Sequence, residues 1–148
     1  MTTSTSSLLT GALSGLRVFD LTRVLAGPSC VQILGDLGAD IIKVERPKLG
    51  DDTRKFGPPF VKDPEGNETT ESGYYLTANR NKRSLHVDLR HPGGGKLLRA
   101  LLHSADVVVE NFRPGIFDAM GFTDEVLARD FPHLVVARLS AFGGVGPM

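Results

Sequence analysis

Four short runs of apolar and β-branched residues stand out along the chain: LRVFDL at 16–21, ADIIKVE at 39–45, ADVVVE at 105–110 and LVVARLS at 134–140. Such runs fit strands of a parallel sheet covered on both faces. Between the first two, Gly27 and Pro28 occupy cap and first-turn positions, and Gly38 supplies a stop. The spacing predicts a helix from Pro28 to about Leu37, with Cys30, Ile33, Leu34 and Leu37 on the face turned to the sheet. A second helix is expected from Pro92, carrying Leu97, Leu98, Leu101 and Leu102. A third follows Thr123 as N-cap, with Asp124 and Glu125 in its first turn, and leads through Phe131 to the last strand. The short run SLHVDL at 84–89 is expected to add a further strand. Alternating strands and helices predict an α/β fold, a Rossmann-like open parallel sheet with helices on both faces.

Two stretches break the alternation. Residues 46–83 are polar and punctuated by Gly and Pro, and are read as an excursion over the surface or toward another subunit. Residues 1–14 are Ser/Thr-rich and are read as a disordered leader, with 15–148 as the folded unit. The final SAFGGVGPM follows a strand without a covering helix, so the chain is read as the N-terminal portion of a larger domain.

Composition narrows the function classes. At 148 residues, 41% hydrophobic and 23% charged, the sequence is that of one ordinary globular domain. Lys plus Arg and Asp plus Glu balance at 17 each, so no whole-chain field favours nucleic acid or a membrane, and any anion site must be local. A single cysteine, Cys30, excludes an intramolecular disulfide and fits a reducing compartment; its apolar setting predicts a buried structural thiol. No apolar run approaches the roughly 20 residues of a membrane span. No Lys or Arg precedes Arg17, which argues against a presequence. The expected location is cytoplasmic, with mitochondrion and peroxisome left open.

Ligands of open α/β sheets bind beyond the carboxyl ends of the strands. Those ends carry Thr22–Gly27, then Glu45–Arg46–Pro47, then Asn111–Phe112–Arg113. Guanidinium groups, an amide and an aromatic ring suit a phosphorylated nucleotide; solvated loop charges are the alternative. No G-x-G-x-x-G follows the first strand. RHPGGGKL fails as a phosphate loop because Arg90 and Leu97 stand where Gly and Ser or Thr are needed, so Gly93–Gly95 are read as opening a helix. His86, His91, His103 and His133 lack ligand spacing, and no metal is expected. Asp20, Glu45 and Glu110 lie within or at strand ends, where structural hydrogen bonding is the favoured role.

The stretches GLRVFDLTRVLAGPSCVQILGDLGADIIKVERPKLGDDTR, NRNKRSLHVDL, ADVVVENFRPG and MGF together resemble the class III CoA-transferases, the CaiB/BaiF type, over nearly all of Gly15–Pro147. GDDTRKFGPPF is most similar to the succinyl-CoA:glutarate branch. The resemblance implies the large domain of an interlocked-ring homodimer. It also implies transfer of coenzyme A between an acyl-CoA and a free carboxylic acid through an aspartyl-CoA thioester. By motif, the coenzyme A contacts would be Leu25, Ala26, Arg46, Val87, Asp88, Leu89, Arg90, Asn111, Phe112 and Arg113. Arg46 and Arg90 would meet the adenosine phosphates, Asn111 and Phe112 the nucleotide or pantetheine. Ala119 stands where the formyl-CoA branch carries a contacting arginine, which leaves Arg113 as the candidate substitute. The family's nucleophilic Asp falls beyond residue 148, and none of Asp20, Asp36 or Asp40 matches its motif, so 1–148 alone are expected to be inactive. The alternatives are an α-methylacyl-CoA racemase of the same superfamily, acting by acid–base chemistry, and a non-catalytic fragment.

Overall fold

Neighbouring residues of the first strand face opposite ways: Val18 enters one apolar cluster and Phe19 the other. Val108 and Val109 of a later strand divide in the same manner. A sheet buried on both faces has no solvated side to alternate with, which is why its strands read as continuous apolar runs.

The computed structural model describes residues 11–144. Along the chain lie β1 (Arg17–Asp20), α1 (Ala26–Asp36), β2 (Asp40–Glu45), a 3₁₀ turn (Asp52–Lys55), β3 (Phe60–Lys62) and β4 (Glu68–Ser72). They are followed by α2 (Gly73–Asn79), β5 (Lys82–His86), α3 (Pro92–Leu102), β6 (Val107–Glu110), α4 (Ile116–Ala119), α5 (Asp124–Asp130) and β7 (Val135–Arg138). The main sheet has the order β5-β2-β1-β6-β7 with every neighbour parallel, so the strand order reverses between β1 and β6. Such a switch point opens a crevice where the loops after the two central strands diverge.

One face is the larger core. Phe19, Leu21, Val44 and Val108 of the sheet region meet Leu98 and Leu102 of α3 and the rings of Phe117, Phe122 and Phe131. Phe117 and Phe122 stack with centroids 4.8 Å apart. The opposite face packs Val18, Ile41 and Val109 against Val31 and Leu34 of α1. Thr123 caps α5 as the sequence predicts, its hydroxyl accepting from the Val126 amide at 3.4 Å. Gly93–Gly95 do open a helix, with the His91 ring accepting from the Gly93 amide at 3.0 Å.

Several expectations are corrected. Helix α1 begins at Ala26 rather than Pro28, and it is rotated from the predicted face. Val31 is fully buried, whereas Ile33 is 58% exposed and Leu37 and Cys30 are also exposed. Cys30 is therefore not a buried structural thiol. The rotation has two causes. Gly27 lies so close to Thr22 that a Cβ there would sit 2.4 Å from Thr22 Cβ, and Gln32 must reach α2, where its side-chain oxygen accepts from the Arg80 amide at 3.2 Å. Leu97 likewise lies outside the α3 face that Leu98 and Leu102 bury. The segment 46–83 is not mere excursion: it holds the 3₁₀ turn, an antiparallel β3–β4 pair, α2 and the first residues of β5. The strand expected at 84–89 runs instead over Lys82–His86, leaving Val87–Leu89 as loop. Residues 11–14 of the expected leader form a turn tied to α1, with the Leu13 amide donating to Leu37 O at 2.9 Å; the rest of that expectation lies outside the described residues.

The N-terminal turn of α3 is pressed against the loop after β5. A Cβ at Gly94 would sit 2.0 Å from the carbonyl oxygen of Asp88. Gly94→Ala is therefore expected to lower stability by roughly 1–3 kcal/mol through displacement of that loop. A denaturant midpoint equal to that of the parent would contradict the tight approach.

Candidate functional site

The carboxyl ends of β1, β2, β5 and β6 open onto one cleft of about 910 Å³. Leu21, Val44, Val87 and Phe112 contribute apolar surface, with Leu89 and Met120 beside them. Arg23, Arg46, Lys48, Arg90 and Arg113 line the same cleft. Asp52 partly balances two of these cations: it pairs with Arg46 and lies 3.9 Å from Arg23. Arg46 also donates to Gly50 O at 3.4 Å. Lys48, Arg90 and Arg113 make no ion pair among the described residues. A locally cationic rim over an apolar floor thus arises in a chain of zero net charge.

Beneath the floor, charged groups hold the loops in place. Lys43 Nζ lies 2.9 Å from Thr22 O and 3.0 Å from Asp51 Oδ2. Lys82 Nζ meets Asp20 Oδ2 at 2.9 Å, Pro28 O at 2.8 Å and Asn79 Oδ1 at 3.0 Å. The side chains of Asp20, Lys43, Asp51 and Lys82 are all 0–1% exposed, two acids against two bases. Asp20 also accepts from the Thr22 amide at 2.9 Å, and Asp51 Oδ1 accepts from the Thr53 amide at 3.0 Å. Burial opposes ionisation of Asp51, but Lys43 and the Thr53 donors outweigh it and hold the carboxyl below its ordinary range. For Lys82, burial dominates over Asp20 and pulls the ammonium down.

Glu45, at the end of β2, anchors a second network. Arg54 grips it through Nε and Nη2, both at 2.8 Å, while Ser84 Oγ donates at 2.7 Å, Tyr75 OH at 3.0 Å and the Asp51 amide at 2.8 Å. Burial would raise this carboxyl, yet these donors, Arg54 foremost, hold it at about 2. Tyr75 lies under the Arg54 guanidinium, 3.8 Å from ring centroid to Cζ, and its hydroxyl is pushed above its ordinary range by burial and by Glu45. Glu110 accepts from the Phe112 amide at 2.7 Å, and burial raises its carboxyl. Structural roles for Asp20, Glu45 and Glu110 agree with the sequence reading.

Residues 13–148 match the family described as CoA-transferase family III. The chain belongs to CoA-transferase family III. It is 48% identical over 136 residues to human succinyl-CoA:glutarate CoA-transferase, covering 92% of this chain and 30% of that protein. It is 44% identical over 135 residues to formyl-CoA:oxalate CoA-transferase of Rhodopseudomonas palustris, covering 91% of this chain and 30% of that protein. A crystal structure of a CaiB/BaiF family protein from Brucella suis superposes with a TM-score of 0.83 at 46% identity, covering 93% of this chain and 35% of that one. The chain thus spans about a third of the length of the family members it matches.

The cleft gathers most of the positions that the family motif singles out, but not all. Arg46, Val87, Asp88, Leu89, Arg90, Phe112 and Arg113 line it. Leu25 and Ala26 do not; both are exposed where α1 begins. Asn111 does not line it either, because its amide faces Arg23, accepting from Arg23 N and donating to Arg23 O, both at 2.9 Å. Ala119, in place of the formyl branch's arginine, lies on the cleft wall with Arg113 also in the lining. Sequence reasoning passed over Lys48, Ile116 and Met120, which the Arg46–Gly50 turn and α4 bring to the cleft. It also passed over Lys43, which sits between Ile42 and Val44 in β2. A lysine inside an apolar strand was the available signal, since Lys is almost never fully buried unless paired. No group of three or more His, Cys, Asp or Glu among the described residues could hold a metal, and no described helix is long and apolar enough to cross a membrane.

Proposed function

We propose that this chain forms the coenzyme A-holding part of a transferase that moves coenzyme A between an acyl-CoA and a free carboxylic acid. The observation that carries the reading is the cleft itself, with an apolar floor beside Lys48, Arg90 and Arg113, none of which makes an ion pair among the described residues. Coenzyme A joins an apolar arm and a flat base to several phosphates, and this lining matches that mixture. The names of the family members at 48% and 44% identity favour small dicarboxylic acids as acceptors, with succinate and glutarate first. The same reading assigns the covalent step, through an aspartyl-CoA thioester, to a part of the enzyme beyond residue 148, and the homodimer to the whole enzyme. In support, the carboxylates beneath the cleft are otherwise engaged: Asp20 and Asp51 are fully buried beside lysines, and Glu45 is saturated by donors.

Titration calorimetry with coenzyme A tests the assignment. Binding should weaken as salt is added, because the rim is cationic. Arg90→Ala should weaken it by roughly 1–3 kcal/mol, the loss of a charge-assisted contact. Arg90 is a sharper probe than Arg46, which Asp52 and Gly50 already engage. No binding at millimolar coenzyme A, or an unchanged dissociation constant for Arg90→Ala, overturns the reading.

A further inference from the structure

Three consecutive residues of the loop after β1, Thr22, Arg23 and Val24, are held by side chains from elsewhere in the fold. Thr22 O accepts from Lys43 at 2.9 Å, and the Val24 amide lies 3.4 Å from Asp51 Oδ1. Between them, both backbone groups of Arg23 bond to one side chain, that of Asn111, 88 residues away. The donor and acceptor of that amide match the acceptor and donor of the Arg23 backbone, which fixes which way the amide points. The next residue, Val24, holds φ at +71°, a conformation that a β-branched residue adopts only where its surroundings impose it. Arg23 then lines the cleft, its guanidinium carbon 6.0 Å from the centroid of the Phe112 ring.

We infer that Asn111 is a positioning residue: it locks the backbone of Arg23 and so fixes the point from which the guanidinium reaches an anionic group of the cleft's ligand. The inference rests on the coenzyme A reading for the identity of that ligand. It departs from the motif's implication that Asn111 itself meets the nucleotide or pantetheine. Asn111 has no place in the cleft lining, although Phe112 and Arg113 immediately after it do. The stretch ENFRPG therefore divides its work. Glu110 accepts from the Phe112 amide and shapes the loop, Asn111 clamps the opposite loop, and Phe112 and Arg113 face the ligand. Fixing the backbone at Arg23 before binding removes an entropy cost that a mobile loop would impose on each binding event.

A double-mutant cycle on coenzyme A affinity distinguishes clamp from contact. Asn111→Ala and Arg23→Ala are each expected to weaken binding about tenfold, and the double variant no more than about tenfold, because removing Arg23 leaves the clamp nothing to present. Losses that multiply to about a hundredfold would make Asn111 a separate ligand contact, and unchanged affinity in Asn111→Ala would make the clamp irrelevant; either result overturns the inference. If Asn111→Ala does not fold, Asn111→Ser removes the same pair of bonds with a small polar side chain. Amide hydrogen exchange supplies a readout without ligand: Arg23 should exchange faster in the Ser variant than in the parent, and equal rates would overturn the clamp. A parent that fails to bind coenzyme A overturns the functional reading by itself, while the exchange at Arg23 still decides the clamp.

Discussion

Replacing Lys43 with methionine is expected to lower the unfolding free energy by roughly 3–5 kcal/mol, the cost of leaving a buried carboxylate without its counter-charge. Met nearly fills the volume of the lysine stem, so the loss is electrostatic rather than a cavity. The Lys43 side chain is 1% exposed, with Asp51 Oδ2 at 3.0 Å and Asp20 Oδ2 at 3.8 Å. Asp20 keeps Lys82 after the change, but Asp51 keeps, among the described residues, only its Thr53 donors and the long contact from Val24. Adding Asp51→Asn to Lys43→Met should therefore recover part of the loss, since the neutral amide no longer needs a cation. Urea midpoints of the parent, single and double variants check this. A single variant within about 1 kcal/mol of the parent would show that Lys43 is not what neutralises the floor. Because Lys43 also holds Thr22 O, weaker coenzyme A binding should accompany the loss of stability.

Acid should destabilise the fold through Glu45. Its carboxyl is held at about 2 in the folded chain against an ordinary value of 4.5. The group thus contributes stability that is fully present above about pH 4.5 and is lost as pH falls toward 2, because the unfolded chain binds the proton first. The full difference is worth roughly 3 kcal/mol. Other carboxylates titrate in the same window, so the measurement is a comparison. Glu45→Gln should be less stable than the parent near neutral pH, and the gap should narrow below about pH 4.5 and close as the pH approaches about 2. A gap between the two that stays constant with pH would refute the assignment. Loss of the Arg54 and Asp51 partners should also loosen the Arg46–Gly50 turn, which forms one wall of the cleft.

The contrast between α1 and the strands shows where sequence reading succeeds. Periodicity located α1 within two residues and placed Leu34 rightly, but it turned the rest of the face toward Cys30, Ile33 and Leu37 and passed over Val31, because Ile33 and Leu37 are as apolar as Val31. What turned the helix was the close approach of Gly27 to Thr22 and the reach of Gln32 to α2, neither of which is a hydrophobic signal. The hairpin and α2 inside 46–83 went unread for a related reason. Their stability comes from Glu45, Arg54, Tyr75 and Ser72, polar groups whose pairing crosses up to 30 residues and leaves no local pattern.

The cleft divides in the same way. The strand ends and the residues just beyond them were legible, and Arg46, Val87–Arg90, Phe112 and Arg113 do converge there. Asn111 was placed at the right loop with a different task, since its partner Arg23 lies on a loop that only the sheet order brings alongside. By itself, then, the sequence determined the α/β architecture, the strand ends as the site and the family motif, because burial on both faces and helix punctuation are written locally. Only the tertiary structure decided which polar groups bear ligand and which bear the fold. That division depends on a strand order in which β6 and β2 flank β1, so that Asn111 and Lys43 reach the loop after β1 from opposite sides, at Arg23 and Thr22.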